Sequence, residues 1–147
     1  GNLKICDAGA GAGFPSLILA MMNDDKGLDV SFTLVESNKK KCAFLEDSIQ
    51  KLGVKLEVIN ERVENLNKDF DLIFARAVAP LPKLLNNCNK ISKKDTVYIF
   101  PKGKSFEVEL FQLKKKWHYN VNIVKNNIAI DKSGGVTLVL SDVRKVI

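Results

Sequence analysis

Short runs of apolar residues alternate along the chain with longer segments in which apolar residues recur every three or four positions. The short runs are typical of strands and the longer segments of amphipathic helices. The clearest helix carries Cys42, Leu45, Ile49 and Leu52 on one face and ends at Gly53, a residue that commonly terminates helices. The pattern predicts strands at residues 3–6, 31–35, 56–59, 72–75, 97–100, 121–130 and 136–140.

Three further helices are predicted between these strands. One spans about residues 14–22, and a second follows Pro80 and Pro82, which can open a helix but not continue one. A third begins near Ser105, a potential N-cap. The inward faces of the last two are predicted to carry, respectively, Leu84, Leu85, Cys88 and Ile91, and Phe106, Leu110, Leu113 and Trp117.

Regular alternation of strand and helix predicts an α/β fold with a mostly parallel, Rossmann-like sheet of seven strands and helices on both faces. The last two strands are separated only by the turn at residues 133–135, so they are expected to form an antiparallel hairpin at one edge. At 147 residues the chain is predicted to be a single domain over residues 1–147. In such a sheet the loops after the first four strands converge, and ligands bind there.

Composition and charge exclude fewer classes of function than the alternation of strands and helices does. The net charge of +6 suits a polyanionic partner such as RNA, but a solvated helix face is the default explanation of each lysine cluster, at 39–41 and at 114–116, taken singly. Three separated cysteines and the single His118 disfavour a metal site and a disulfide framework. No apolar run is long enough to span a membrane or resembles a signal peptide, so we expect a cytoplasmic protein.

The stretch DAGAGAGFPS follows the first predicted strand and places Gly9, Gly11 and Gly13 where a ligand can approach the backbone. In the dinucleotide-binding fingerprint the last glycine stands five positions after the first, and here that position is Phe14. A large side chain there disfavours a pyrophosphate. The loop therefore indicates a nucleoside without a diphosphate, and S-adenosylmethionine meets that description.

Polar residues after the neighbouring strands fit the same ligand. Asp7 can face its ammonium group, and Glu36 can accept hydrogen bonds from both ribose hydroxyls. Val63 and Glu64 follow the third strand, where they can hold the adenine edge. Taken singly, Glu36 and Glu64 are explained as surface residues and the glycines as an ordinary turn between strand and helix, but all of these loops agree on one ligand.

The motifs DAGAGAGFPS, TLVESNKKKCAFLE, ERVENL, ARAVAPL and PKG, in this order, resemble the bacterial small-subunit rRNA guanine-N7 methyltransferases of the GidB or RsmG family. The similarity runs over about residues 3–103. It implies a class I S-adenosylmethionine-dependent methyltransferase fold, with the guanine N7 of 16S rRNA as the methylated atom. The cofactor contacts that it implies fall on Gly9, Phe14, Val63, Glu64 and Arg76.

The chain departs from the family pattern in three places. Ala10 stands where the family usually has Ser or Thr, Ser16 stands where Gly is common, and no helical segment precedes the first strand. The two substitutions are small enough to leave cofactor binding intact. The family's N-terminal helical segment bears on RNA binding, and Gly1 begins almost at the first strand.

Guanine N7 carries a free lone pair, so methyl transfer to it needs no general base, and catalysis is expected to come from alignment. Arg76 is the predicted positioning group, with a structural ion-paired arginine as the alternative. Lys102 and Lys104 are predicted to contact RNA phosphates, with a solvated loop as the simpler alternative for Lys104. We expect a monomer that acts on 16S rRNA or the small ribosomal subunit. The alternatives are an NAD(P)-binding oxidoreductase and a non-catalytic RNA-binding module.

Overall fold

The computed structural model describes residues 2–9, 16–27, 29–76, 79–125 and 135–146. Seven strands and four α-helices lie within them, and two 3-10 helices span Val63–Asn65 and Asn89–Ile91. The order along the chain is β1 (Leu3–Ala8), α1 (Ser16–Lys26), β2 (Val30–Val35), α2 (Lys39–Leu52), β3 (Glu57–Ile59), β4 (Phe70–Ala75), α3 (Leu81–Cys88), β5 (Ser92–Lys102), α4 (Phe106–Leu113), β6 (Trp117–Lys125) and β7 (Val136–Lys145). None of the described helices has both the length and the apolar character needed to cross a bilayer.

All seven strands belong to one sheet in the order β3-β2-β1-β4-β5-β7-β6. Strands β1 to β5 are parallel, whereas β7 is antiparallel to both β5 and β6. The predicted seven-stranded, mostly parallel sheet with a C-terminal antiparallel hairpin is therefore confirmed. The strand order reverses between β1 and β4, so the carboxyl ends of β1, β2 and β4 lie side by side.

The register of β1 sets which side chains share each face of the sheet. Ile5 is aligned with Phe32 of β2 and Leu72 of β4, and Cys6 is aligned with Thr33 and Ile73. Because successive side chains alternate between faces, the two sets lie on opposite sides. Helices α1 and α2 pack on the Phe32 side. The larger core lies on the other side, where α3 and α4 bury Leu81, Leu84, Leu85, Cys88, Leu110 and Leu113 against Ile73, Tyr98, Phe100, Leu138 and Leu140.

The structure corrects the predicted end of the last helix. Trp117 was expected on the inward face of that helix, but α4 ends at Leu113 and Trp117 is the first residue of β6. It is buried nonetheless, and its register partner is Lys145 of β7. Pairing with β7 satisfies the backbone hydrogen bonds of this segment, and that long-range pairing overrides the helical spacing. His118, the next residue along β6, is exposed.

Helix α2 is closed at both ends by its own sequence. The Asn38 side chain accepts a hydrogen bond of 3.0 Å from the backbone N–H of Lys41. At the other end Gly53 takes the left-handed conformation, with φ of 67°, and its N–H bonds to the Ile49 carbonyl. The predicted termination at Gly53 is thus confirmed, and its cause is backbone conformation.

We expect Gly53→Ala to lower the free energy of unfolding by about 1 kcal/mol, because a side chain disfavours the left-handed region. A methyl group at Gly53 would meet no atom within 4 Å, so strain in φ is the only cost. Gly103→Ala is the matched control, since Gly103 lies outside the left-handed region and is equally uncrowded. Urea unfolding curves measure both, and equal losses would contradict the explanation.

Candidate functional site

An open cavity of about 190 Å³ lies at the carboxyl edge of the sheet, next to the reversal of strand order. Loops after β1, β2, β3 and β4 contribute to it, as predicted for the converging loops. One side is formed by the inward face of α3. The lining residues are Ala8, Gly9, Val35, Ser37, Glu61, Arg62, Val63, Glu64, Ala79, Leu84, Asn87 and Cys88.

Gly9 turns the chain away from the end of β1. Its φ is 74°, and its N–H donates a 2.7 Å hydrogen bond to the Val35 carbonyl of β2. Residues with a side chain rarely adopt this conformation, so glycine is required here by the backbone. Among the described residues, nothing lies within 4 Å of a methyl group placed on Gly9. Gly11, Gly13 and Phe14 lie outside the described residues.

Two acids are buried at the carboxyl ends of adjacent strands. Asp7 is 3% exposed near the end of β1, and Glu36 is 7% exposed immediately after β2. Neither lines the cavity itself, but their neighbours Ala8, Val35 and Ser37 do. The structure thus brings both predicted acids to the rim of one site.

Backbone contacts hold Glu36 in place. Its N–H donates to the Ile59 carbonyl of β3 over 3.0 Å, and one carboxylate oxygen accepts from the Asn38 N–H over 2.8 Å. The side-chain amide of Asn60 donates to the Glu36 carbonyl over 3.0 Å. The Asn38 N–H therefore orients the carboxylate, and the other two hydrogen bonds hold the Glu36 backbone against β3 and the loop that follows it.

Val63 and Glu64 form the start of the 3-10 helix after β3 and are both half-buried. Val63 also packs against the main core, which ties this turn to α3. Both residues line the cavity, so they lie beside Gly9 as the sequence predicts for residues that hold an adenine edge.

Arg76 is the first residue beyond β4, and its side chain is exposed. Within the described parts of the chain it forms no ion pair. Arg76 lies at the carboxyl end of the strand next to β1, the edge where the cavity opens, but it does not line the cavity.

The structure revises the role predicted for Lys102. Its side chain is only 6% exposed, and its ammonium pairs with Glu109 over 2.9 Å and donates to the Ala79 carbonyl over 3.0 Å. A phosphate would have to displace both partners to reach it. Lys104, two residues later, is exposed.

The two lysine clusters lie at opposite edges of the sheet. Lys39, Lys40 and Lys41 form the exposed first turn of α2, directly after the carboxyl end of β2. The lysines at 114–116 follow α4 at the amino edge, where β6 begins. Cations are unfavourable at a helix N-terminus, so a solvated helix end explains the first cluster poorly.

That α3 lines the cavity was not predicted from the sequence. Leu84 and Cys88 were predicted on its inward face, yet that face also closes the cavity, together with Asn87. Arg62, next to Val63, was missed as well. The ERVENL motif was the available signal for Arg62, whereas the role of α3 depends on how the helix packs.

Burial makes the two core thiols poor nucleophiles. It raises the pKa of Cys88 to about 12, with a smaller contribution from the Glu64 charge. It also raises the pKa of Cys6 far above its ordinary range, with added repulsion from Cys88 and Asp7. Since the thiolate is the reactive form, burial disfavours both cysteines as nucleophiles at neutral pH.

A second cavity, of about 550 Å³, is larger but lies away from the converging loops. It is bounded by α3 and by the ends of β6 and β7, including Lys83, Trp117 and Lys145. We take the smaller cavity as the site because the strand ends meet there. Within the described ranges, no three His, Cys, Asp or Glu side chains are grouped so that they could hold a metal ion.

Residues 1–134 match the profile of the GidB family, described as rRNA small subunit methyltransferase G. The chain belongs to this family.

Two relatives carry the name ribosomal RNA small subunit methyltransferase G. The one from Zymomonas mobilis is 36% identical over 80% of this chain and 51% of its own length. The one from Mycoplasmopsis pulmonis is 44% identical over 74% of this chain and 48% of its own. The chain therefore spans about half the length of these curated relatives.

Solved structures agree on the fold. A ribosomal protein L11 methylase from Lactobacillus delbrueckii subsp. bulgaricus superposes with a TM-score of 0.72 at 18% identity, covering 96% of this chain and 70% of that one. An S-adenosylmethionine-dependent methyltransferase from Aquifex aeolicus superposes with a TM-score of 0.70 at 17% sequence identity. The match covers 95% of this chain and 81% of that one. The GidB-family chain thus has the class I S-adenosylmethionine-dependent methyltransferase fold.

We expect Cys88 to resist alkylation by iodoacetamide at pH 8 in the folded protein, because its raised pKa keeps the thiol protonated. In urea the same thiol should react at the rate of an ordinary cysteine. Peptide mass mapping after timed quenching measures both rates. Rapid labelling of Cys88 in the folded chain would contradict the burial argument.

Proposed function

We propose that the protein methylates guanine N7 in 16S rRNA with S-adenosylmethionine as methyl donor. The observation that carries this proposal is the convergence of Gly9, Val63, Glu64 and the segment after β4 on one cavity beside two buried acids. Family membership and the fold support the same reaction. The acids and the glycine turn at the site suit the polar groups of S-adenosylmethionine.

The side chains around the cavity fit an adenosyl group with an amino-acid tail. Glu36, oriented by the Asn38 amide, suits ribose hydroxyls, and Val63 and Glu64 suit the adenine edge. Asp7 suits the ammonium of the amino-acid tail. Gly9 begins the first loop, and Gly11, Gly13 and Phe14 are proposed to complete that loop.

When bound, S-adenosylmethionine supplies an electrophilic methyl group that a nitrogen lone pair accepts without prior deprotonation. The chain itself then needs only to bind, orient and exclude water. The raised pKa of Cys88, the one thiol that lines the described part of the cavity, agrees with a reaction that uses no cysteine nucleophile. We assign Arg76 the positioning of the base or of an adjacent phosphate.

The RNA partner is proposed to be the small-subunit rRNA, free or in the assembling subunit, in the cytoplasm. Guanine N7 is inaccessible in the deep, narrow major groove of A-form RNA, so the target base has to lie in a loop or turn out of the stack. Lys104 and the lysines at 39–41 lie at the carboxyl edge of the sheet, where the cavity opens. Their exposed ammonium groups suit the RNA phosphates around the target base.

We expect calorimetric titration to show micromolar binding of S-adenosylmethionine and none of NAD. Glu36→Gln should weaken this affinity about 10- to 100-fold, because it removes charge-assisted hydrogen bonds worth about 1.5–3 kcal/mol. Glu46→Gln is the matched control, since Glu46 is an exposed acid on the nearby α2. Binding of NAD instead would support the oxidoreductase, and RNA binding without cofactor binding would support the non-catalytic module.

Labelled methyl transfer followed by nucleoside analysis tests the product directly. The expected product is 7-methylguanosine, with free 16S rRNA and small subunits compared as substrates. Another methylated nucleoside would overturn the N7 assignment while leaving the cofactor assignment standing.

Replacing Lys39, Lys40 and Lys41 together by alanine should weaken RNA binding about tenfold or more. The slope of log affinity against log salt should fall by about 0.7–0.9 for each phosphate that the variant no longer neutralises. The same triple replacement at 114–116 is the matched control, with equal charge removed at the opposite edge. Filter-binding isotherms at several salt concentrations measure both, and equal effects would show that net charge alone governs binding.

A further inference from the structure

Lys102 and Glu109 form a buried ion pair for which the proposed reaction has no direct use. Their side chains are 6% and 13% exposed, and the ammonium and a carboxylate oxygen are 2.9 Å apart. Lys102 lies at the end of β5, and Glu109 lies in the first turn of α4. Burial of two charges is costly unless further hydrogen bonds satisfy them, so their remaining contacts are informative.

Those contacts converge on one short stretch of backbone. Lys102 donates a 3.0 Å hydrogen bond to the Ala79 carbonyl. The Glu109 oxygen that pairs with Lys102 also accepts a 2.7 Å hydrogen bond from the Leu81 N–H. The second Glu109 oxygen accepts from the Ser105 hydroxyl over 3.2 Å, which orients the carboxylate.

The stretch held in this way leads directly into the cavity wall. Ala79 itself lines the cavity, and Leu81 is the first residue of α3, which supplies Leu84, Asn87 and Cys88. The N-cap residue of α3, Pro80, makes no side-chain cap hydrogen bond. Glu109 therefore supplies from α4 both the acceptor and the negative charge that a helix N-terminus favours.

We propose that Lys102 and Glu109 are positioning residues, which fix segment 79–81 and α3 so that the cavity is preformed for the methyl donor. This inference rests on the proposed function. Neither residue lines the cavity or touches the ligand; they act through the backbone at Ala79 and Leu81. The geometry also explains why a lysine beside the exposed Lys104 is withdrawn from solvent.

The test compares Lys102→Met, Glu109→Ala and Glu109→Gln with the wild-type chain. Lys102→Met removes the donor to Ala79, and Glu109→Ala removes the acceptor for Leu81. We expect each to weaken S-adenosylmethionine binding about tenfold, measured by calorimetry well below the melting temperature. Glu109→Gln keeps an acceptor for Leu81, so its affinity should lie between those of Glu109→Ala and wild type.

Asp71 and Lys93 provide a matched control. They form an ion pair between the same two strands, β4 and β5, but at the opposite end of the sheet. Asp71→Asn and Lys93→Met should leave cofactor affinity within about twofold of wild type. Equal weakening in both pairs, unchanged affinity in all variants, or no recovery in Glu109→Gln would each overturn the positioning role.

A second readout keeps the inference separate from the proposed function. Hydrogen exchange of the Leu81 amide in the ligand-free chain should be at least about tenfold faster in Glu109→Ala than in wild type, and unaffected in Asp71→Asn. If wild type fails to bind S-adenosylmethionine, the proposed function falls and this exchange alone decides whether the pair holds the segment. Unchanged exchange at Leu81 would overturn the inference in either case.

Discussion

The hydrogen-bonded parallel register of β1 between β2 and β4 is the constraint on which the rest of the structure depends. It aligns the carboxyl ends of three strands, so Gly9, Glu36 and Arg76 begin their loops at the same edge although they are far apart in sequence. A shift of one residue in β1 would exchange the faces of Ile5 and Cys6 and would turn Ala8, which lines the cavity, away from the α3 side. The core and the site are therefore specified by the same pairing.

Charge is distributed in two ways around that edge. Lys102 and Glu109 are buried, paired and hydrogen-bonded to the backbone, and they stabilise one arrangement of the segment before α3. The lysines at 39–41 and Lys104 remain exposed at the same edge. A buried ion pair contributes order because its geometry is fixed, whereas exposed cations attract polyanions over distances of a Debye length. The proposed division between cofactor pocket and RNA surface follows from this difference in burial.

Local patterns predicted those elements whose residues interact with their sequence neighbours. Helix α2 is such an element, since its apolar spacing, and its end at Gly53, depend on residues within four positions. Trp117 is the opposite case: its spacing suited α4, but pairing with β7 made it a strand residue. The predicted contact of Lys102 with RNA phosphates also failed because of long-range packing. Its partners Glu109 and Ala79 come together only when α4 packs beside α3.

The sequence by itself determined the fold class, the order of strands and helices, the hairpin, and the loops that carry the candidate ligand contacts. These follow from apolar periodicity, turn residues and short motifs, which act within a few residues of each other. Only the tertiary structure decided that α3 lines the cavity, that one lysine cluster lies at the carboxyl edge of the sheet and the other at the amino edge, and that Lys102 is buried. Each of these depends on packing between elements distant in sequence, which no local pattern encodes.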